Sequence, residues 1–219
     1  MSYLKTRYSE KNRPYTSYPE KLVNHLIEVS NLKAGMKIYE PGIGRGEHLK
    51  IFQNAGLDVY GSDIEKDAKE FNADIDIEVV NLDINNSYHP DISFDIIYSK
   101  SFLEHLHNPS HFLKEAHRLL KPGGKLITLT PDWDSQFKNF FDDYTHIRPF
   151  TLKSLEEIQI SAGFKNVKVK KFKQLPSSWN NNMLDNIYDF LSIFVRHRSK
   201  GNFFRWTKEK MLLSISEKS

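Results

Sequence analysis

The chain of 219 residues is 39% hydrophobic, has no cysteine and carries a formal net charge of +3. This length and apolar content suffice for the core of one domain. The absence of cysteine excludes disulfides, thiolate zinc sites and a cysteine nucleophile. The net charge is too small to indicate a nucleic-acid partner. No signal-peptide pattern opens the sequence and no apolar run approaches the roughly 18 residues that span a bilayer, so we expect a single cytoplasmic domain over residues 1–219 without a membrane partner.

The first predicted elements are an N-terminal arm and a helix. Residues 1–19 are polar and aromatic, with two prolines that discourage a long helix. Residues 20–31 have apolar side chains at helical spacing. Strand and helix patterns then alternate, which predicts a parallel sheet with helices on both faces. The predicted strands are 36–40, 58–62, 76–81, 94–99 and 124–130, and the predicted helices are 46–55, 65–72 and 108–120.

The C-terminal part follows a different pattern. Thr151 is predicted to cap a helix that ends near Gly163. Residues 165–173 alternate valine with lysine, which predicts a strand with one wet face, and residues 210–217 are predicted to form the closing strand. Residues 174–209, between these strands, form an insert with helical spacing of its apolar residues.

A glycine-rich loop joins the first strand of the alternating region to the following helix. It reads Glu40-x-Gly42-x-Gly44-x-Gly46-Glu47. Glycines at such a turn let the backbone approach a ligand, and the helix N-terminus behind them offers unpaired N–H groups, so the loop indicates a nucleoside-bearing cofactor. A dinucleotide fingerprint, G-x-G-x-x-G, needs glycine where Glu47 stands. A carboxylate beside the loop also suits a cationic or amino group better than a pyrophosphate.

Two acids follow later strands. Asp63 comes 23 positions after Glu40, and a carboxylate there can accept both ribose hydroxyls. The alternative for Asp63 is an N-cap of the next helix, which is compatible with ribose binding. Asp83, beside Ile84, can accept an adenine amino group, although a lone Asp at such a place is more often a turn residue. A ribose-binding acid is shared by several nucleoside sites, so it supports the fold more than it selects the cofactor.

Three further segments complete a series. They are the Phe-Asp pair that opens the strand at 94–99, the Leu-Glu-His-Leu segment at 103–106, and the Leu-Lys-Pro-Gly-Gly turn at 120–124. With the acidic glycine loop and the two acids, in this order across about residues 36–130, they resemble the class I S-adenosylmethionine (SAM) methyltransferases. The resemblance implies SAM as the cofactor. It also implies an α/β fold with a Rossmann-like seven-stranded sheet, mostly parallel with an antiparallel last strand.

The resemblance implies a role for each motif. The glycine loop would hold the methionine portion of SAM, the acid after the second strand the ribose, and the acid and isoleucine after the third strand the adenine. The end of the fourth strand would line the floor beneath the sulfonium. The residues assigned to the cofactor in this way are Glu40, Gly42, Gly44, Gly46, Asp63, Ile64, Asp83, Ile84, Ser99 and Lys100.

Two histidines are candidates for catalysis. Methyl transfer is an in-line displacement that depends mainly on alignment, but a hydroxyl acceptor benefits from a base of near-neutral pKa, and His is the usual choice. His146 lies in a polar loop after the fifth strand, and His105 follows the fourth strand. The alternatives are a hydrogen bond that orders the loop for His146 and helix packing for His105. We expect His146 to be the base, with His105 as the next candidate.

Metal binding is not expected. The run at 105–117 includes His107 and His111, which share a helix face as in zinc sites, but no carboxylate cluster completes the set. The acids at 132–143 offer an alternative magnesium site. Neither pattern is specific enough to predict a bound ion.

The acceptor is predicted only as a class. The segments at 44–49 and 146–151 are similar to those of methyltransferases that act on sugars or related biosynthetic intermediates, so we expect O-methylation of a small molecule. The basic, aromatic stretch at 196–210 favours a solvated face but leaves open an anionic acceptor, or an RNA or protein substrate. A catalytically silent SAM-binding subunit and a homodimer also stay open. The aromatic arm and insert are expected to form the acceptor pocket.

Overall fold

The computed structural model describes residues 14–199 and 201–219, so the predicted arm at 1–19 lies mostly outside the described residues. The strands are β1 Lys37–Pro41, β2 Asp58–Asp63, β3 Asp76–Val79, β4 Phe94–Lys100, β5 Leu120–Pro131, β6 Phe164–Lys173 and β7 Lys210–Lys218. The α-helices are α1 Tyr18–Ser30, α2 Glu47–Asn54, α3 Ala68–Phe71, α4 Pro109–Leu119, α5 Trp133–Gln136, α6 Leu152–Ser161, α7 Asn182–Ser192 and α8 Asn202–Lys208.

The strands form one sheet in the order β3-β2-β1-β4-β5-β7-β6. Strands β1 to β5 pair in parallel, whereas β7 lies antiparallel between β5 and β6. The predicted α/β class and its antiparallel last strand are thereby confirmed. The strand order reverses between β1 and β4, and sheets of this kind bind ligands beyond the carboxyl ends of their strands at such a reversal.

Helices cover both faces of the sheet. Adjacent residues of a strand point to opposite faces, and the sheet carries a separate buried cluster on each. Ile38 of β1 belongs to the cluster that includes residues of α1 and α2, whereas Tyr39 belongs to the cluster that includes residues of α4 and α6. Ile96 and Ile97 of β4 divide in the same way. With both faces covered, the loops at the carboxyl ends of the strands are the surface left for a site.

Two helix starts are fixed by local caps. Thr151 and Ser154 form a capping box at the start of α6, which confirms the predicted N-cap. At the start of α4, the side chain of Asn108 accepts a hydrogen bond from the His111 N–H at 3.2 Å. Pro109 follows as the first helical residue, where its missing N–H removes no helical hydrogen bond.

Some predicted boundaries are wrong. Strand β5 begins at Leu120 and not at the predicted residue 124, because its register with β4 shifts there and the strand continues past the irregularity. Helix α3 covers only four residues of the predicted 65–72, because the first residues of that range form isolated turns. The insert at 174–209 lies between β6 and β7, as predicted. Within the part of the chain that the structure describes, no helix has the length and apolar character needed to cross a membrane.

Candidate active site

The glycine loop between β1 and α2 has backbone angles that favour glycine. Gly42 and Gly46 have φ values of +64° and +70°, a region that other residues rarely adopt. A Cβ atom on Gly42 would lie 2.6 Å from the Phe102 ring, and one on Gly46 would overlap the side chain of Asn72. The glycines predicted to bind a cofactor therefore also let the loop pack closely against two side chains.

Asp63, the last residue of β2, holds this loop in place. Its Oδ2 accepts a hydrogen bond from the Gly44 N–H at 2.9 Å, and its Oδ1 accepts one from the Glu65 N–H at 2.9 Å. Burial raises the pKa of Asp63, and these two hydrogen bonds oppose the rise. Each carboxylate oxygen can accept a second hydrogen bond, so this role is compatible with ribose binding, which stays a prediction.

Glu40 brings a buried carboxylate to the end of β1. Its Oε2 has no hydrogen-bond partner among the described residues, and its Oε1 lies 4.0 Å from His48 Nδ1. Burial raises the pKa of Glu40 well above its usual value, and the positive charge of Lys100 opposes that rise. A buried polar atom without a partner is costly. The geometry therefore favours a ligand that presents an amino or cationic group to Glu40.

The contacts of Asp83 match those of a turn residue, which was the alternative to adenine binding. Its Oδ1 accepts a hydrogen bond from the Asn108 N–H at 2.6 Å, and its Oδ2 accepts one from the His107 N–H at 3.0 Å. Partial burial acts to raise the pKa of Asp83, but these hydrogen bonds outweigh it and hold the pKa below its usual value. Ile84 and Ile64 are 70% and 62% exposed, which leaves apolar surface for a ring. Adenine binding stays a prediction.

Ser99 and Lys100 are the last two residues of β4. Ser99 is fully buried, and its Oγ has no hydrogen-bond partner among the described residues. The charge of Lys100 lowers the pKa of both Glu40 and Glu104, although burial raises both more strongly. Lys100 therefore acts electrostatically on the carboxylate that ends β1 and on the one that follows β4. The floor of the cofactor site stays a prediction for Ser99 and Lys100.

Glu104, His105 and His146 come together in what we call the carboxylate–histidine trio. One ligand atom from each residue lies within 4.8 Å of the other two, and the two imidazole ring centroids are 4.8 Å apart. Glu104 and His105 follow β4, whereas His146 comes from the loop after β5. The structure thus joins the two predicted catalytic histidines at one place, beyond the carboxyl ends of the central strands.

Hydrogen bonds decide which nitrogen of each imidazole carries the proton. His146 Nδ1 lies 2.8 Å from the Phe140 carbonyl oxygen, and His105 Nδ1 lies 3.2 Å from the Thr145 carbonyl oxygen. His105 Nδ1 also lies 3.0 Å from Thr145 Oγ1, and this hydroxyl accepts there because it donates its own proton to Asp143 Oδ1 at 2.7 Å. A carbonyl oxygen can only accept, so Nδ1–H is the donor in both rings and Nε2 carries the lone pair when the ring is neutral. Each Nε2 can therefore act as a base or as a metal ligand.

Glu104 is the member of the trio that sequence reasoning missed. Its Oε2 accepts a hydrogen bond from Thr130 Oγ1 at 3.0 Å, and its buried Oε1 has no hydrogen-bond partner in the described part of the chain. Its backbone oxygen accepts from the N–H groups of Ile147 and Arg148 at 2.9 and 3.0 Å, which ties the His146 loop to the segment after β4. Burial raises the pKa of Glu104 to about 7. The only sequence signal was its place in the Leu-Glu-His-Leu segment.

The other groups considered for a metal do not converge among the described residues. His107 contacts a carboxylate, while His111 Nε2 lies 3.2 Å from a backbone carbonyl oxygen. The acids at 132–143 are divided between basic partners, which include Lys171 and Arg198. Within the described residues, the trio is the set of side chains that could surround one ion.

The sheet order and the glycine loop define a class, the α/β proteins that bind a nucleoside-bearing ligand where the strand order reverses. Residues 11–169 match the family model described as a methyltransferase domain. This match covers well over half of the chain. The chain therefore belongs to the SAM-dependent methyltransferase family.

Similar proteins of known name act on different acceptors. Phosphoethanolamine N-methyltransferase 2 of Caenorhabditis elegans is 25% identical over 200 residues, which are 81% of this chain and 44% of that protein. The 27-O-demethylrifamycin SV methyltransferase of Amycolatopsis mediterranei is 29% identical over 115 residues, which are 48% of this chain and 42% of that protein. The chain thus spans less than half the length of these two relatives.

A solved structure shares the whole fold. The crystal structure of a SAM-dependent methyltransferase from Archaeoglobus fulgidus superposes with a TM-score of 0.71 at 20% identity, and covers 99% of this chain and 100% of that one. At this identity the likeness concerns the fold.

SAM is the cofactor of this family, and the residues present fit it. The unpartnered Oε2 of Glu40 can accept the amino group of the methionine portion. Gly44 places no side chain between the loop backbone and a ligand, whereas the Phe102 ring fills the space beside Gly42. An acidic residue at the loop would repel a pyrophosphate but attract this cationic cofactor.

Proposed function

We propose that this protein transfers the methyl group of SAM to a hydroxyl oxygen of a small-molecule acceptor that lies against the carboxylate–histidine trio. The observation that carries the proposal is the pair of imidazoles beside a buried carboxylate, at the same end of the sheet as the glycine loop. A hydroxyl is a weak nucleophile until it loses its proton, so it benefits most from such a pair.

Holding and aligning the reactants is the main task of the chain. SAM supplies a methyl group on a positively charged sulfur, so the leaving group needs no further activation. Alignment of reactants can contribute about 7–11 kcal/mol to catalysis. We assign the methionine portion of SAM to the glycine loop, the ribose to Asp63, and the adenine to Asp83 with Ile84. The end of β4 would line the floor of the site beneath the sulfonium.

Proton removal is assigned to the trio. His146 Nε2 accepts the hydroxyl proton, and His105 lies beside it as the second catalytic histidine. Their Nδ1–H groups remain bonded to backbone carbonyls, which keeps both rings oriented. As the acceptor oxygen attacks, the C–O bond forms, the C–S bond breaks, and its electron pair stays on sulfur. The Glu104 carboxylate offsets the charge of a protonated imidazole.

The insert supports an acceptor pocket next to the trio. The His197 ring lies 5.8 Å from the Phe137 ring. Arg198 donates two hydrogen bonds to the Asp142 carboxylate, at 2.8 and 2.6 Å. The segment between these two contacts also carries the carbonyl that orients His146. The helical insert therefore packs against the loop that holds the catalytic base, as expected for an acceptor-binding element.

The proposed acceptor is a sugar or a related biosynthetic intermediate. Phe141 and Tyr144, close to His146 in sequence, are exposed and offer aromatic faces to a ring. The name of the Amycolatopsis relative refers to an O-demethylated natural product, which agrees with a hydroxyl acceptor. The name of the Caenorhabditis relative refers to phosphoethanolamine, and it supports a second candidate, N-methylation of a small anionic amine. A cytoplasmic location is part of the same proposal.

The test is a transfer experiment with SAM that carries an isotopically labelled methyl group. The acceptors would be glycosides with free hydroxyls, hydroxylated natural-product intermediates, phosphoethanolamine and a metabolite extract, with products identified by mass spectrometry. We expect label on an oxygen. Label found only on nitrogen would favour the second candidate. No transfer to any of these acceptors, despite SAM binding, would contradict the proposed activity.

A further inference from the structure

We propose that Glu104, His105 and His146 bind a divalent transition-metal ion, and that the ion holds the oxygen of the acceptor for methylation. The described residues bring together one buried carboxylate and two imidazoles from separate loops. This set differs from the histidine and aspartate clusters that the sequence offered for a metal. The role of the ion in catalysis rests on the proposed function, whereas its binding does not.

The spacing of the trio is close to that of a metal site. Its ligand atoms lie within 4.8 Å of one another. Two atoms bound to one ion at about 2.1 Å each lie about 3.4 Å apart when the site is tetrahedral. Atoms that lie up to 4.8 Å apart must therefore approach by up to about 1.4 Å, through side-chain rotation, when an ion binds. Both histidines are only partly buried, so an ion and an acceptor can reach them.

The imidazoles are already oriented as metal ligands usually are. In metal sites, the ring nitrogen that does not bind the ion commonly donates its proton to a carbonyl or carboxylate. His146 Nδ1 has this contact with the Phe140 carbonyl at 2.8 Å. His105 Nδ1 has it with the Thr145 carbonyl at 3.2 Å. Both rings consequently present the Nε2 lone pair that an ion requires.

Glu104 supplies the independent evidence for a cationic ligand. The residue is fully buried, and one of its carboxylate oxygens has no hydrogen-bond partner in the described part of the chain. The other oxygen is held by Thr130 Oγ1 at 3.0 Å, which fixes the direction of the carboxylate. A buried carboxylate with an unpaired oxygen is unfavourable unless a cation or donor meets it. A metal ion between Glu104 and the two imidazoles provides that partner.

The ligand set selects the kind of ion. Two imidazoles with one carboxylate suit zinc, manganese, iron or cobalt, whereas magnesium and calcium prefer all-oxygen sites. Three protein ligands leave at least one coordination position open, as in catalytic metal sites. A hydroxyl bound there becomes more acidic. Its proton leaves to water, the oxygen then forms the C–O bond, and the C–S electron pair stays on sulfur. The histidines act as ligands in this form of the site.

Ion binding can be measured without any activity assay. The full chain, freed of any histidine tag and treated with a chelator, would be titrated with Zn²⁺ and with Mn²⁺ by calorimetry. We expect binding of about one ion per chain, as at other sites of this type. Glu104→Gln and His146→Ala should each weaken it by at least about tenfold. His111→Ala, which removes a partly buried histidine outside the trio, should bind as wild type does.

Paired outcomes separate this inference from the proposed function. Titration curves that are the same for wild type and both trio variants would overturn the metal site, provided that the variants still bind SAM and are therefore folded. If the chelated protein keeps full methyl transfer while His146→Ala loses it, the catalytic role of the ion is rejected and His146 remains the base. If chelation abolishes transfer and Zn²⁺ or Mn²⁺ restores it, the metal site and methyl transfer to the acceptor hydroxyl both hold, and the histidines act as ligands in place of a base. If label transfer is absent with and without ions although an ion binds at the trio, only the proposed function fails.

Discussion

Replacement of Asp63 by alanine tests the cofactor site most directly, because this side chain links two parts of it. Its two carboxylate oxygens accept hydrogen bonds from the N–H groups of Gly44 and Glu65, each at 2.9 Å. Asp63→Ala removes both bonds and frees the glycine loop from the end of β2. It also removes the proposed partner of the ribose hydroxyls.

The expected loss of SAM affinity is about 1–3 kcal/mol, the usual effect of leaving buried polar groups unpaired, or about 5–150-fold in Kd. Asp63→Asn keeps one acceptor oxygen but turns an amide N–H₂ towards the other N–H donor, so its loss should be smaller. Asp58→Ala is the matched control, since Asp58 opens the same strand and is half-exposed. Calorimetry with SAM and S-adenosylhomocysteine gives the comparison. An unchanged Kd for Asp63→Ala would refute both its ribose role and its role in holding the loop.

Three more predictions concern selectivity, the acceptor side and stability. Calorimetry should show binding of SAM and no binding of NAD, because Glu47 stands where a dinucleotide loop needs glycine; binding of NAD alone would be inconsistent with the cofactor assignment. Arg198→Ala, which breaks the two hydrogen bonds to Asp142, should raise KM for the acceptor and leave the Kd for SAM unchanged, and the opposite pattern would place the insert at the cofactor. Thr151→Ala should lower the free energy of unfolding by about 1 kcal/mol through loss of the helix cap, measured by urea denaturation; no change would deny the capping box a stabilising role.

The sequence predicts the cofactor end of the site well because its signals are local. The glycine spacing and the acid at the end of β2 each lie at a turn between two periodic segments. Strand and helix periods fix which turns meet at one edge of a parallel sheet. The same local reading fails at β5, where a Lys-Pro-Gly-Gly stretch that normally ends an element is accommodated by a shift of register with β4.

The trio shows what local patterns cannot provide. Glu104 stands between Leu103 and His105 in sequence, and nothing in that pattern says that its carboxylate is buried with one oxygen unpartnered. His146 reaches it from a loop 42 positions away, held there by backbone hydrogen bonds from Ile147 and Arg148 to the Glu104 carbonyl. Contacts of this range depend on the packing of the loop after β5, which has no periodic signal.

The central claim is that the trio activates the acceptor for methyl transfer, while a separate set of residues binds SAM. The most direct measurement is the rate of a single turnover at saturating SAM for wild type and His146→Ala, with the acceptor that the labelled-methyl experiment identifies. The Kd for SAM would be measured in parallel for both proteins. The account predicts a rate about 10²–10⁴-fold lower in His146→Ala, with an unchanged Kd for SAM and a normal rate in His111→Ala. A His146→Ala rate within about fivefold of wild type, well short of that range, would contradict the account and leave the trio a structural feature of the loop.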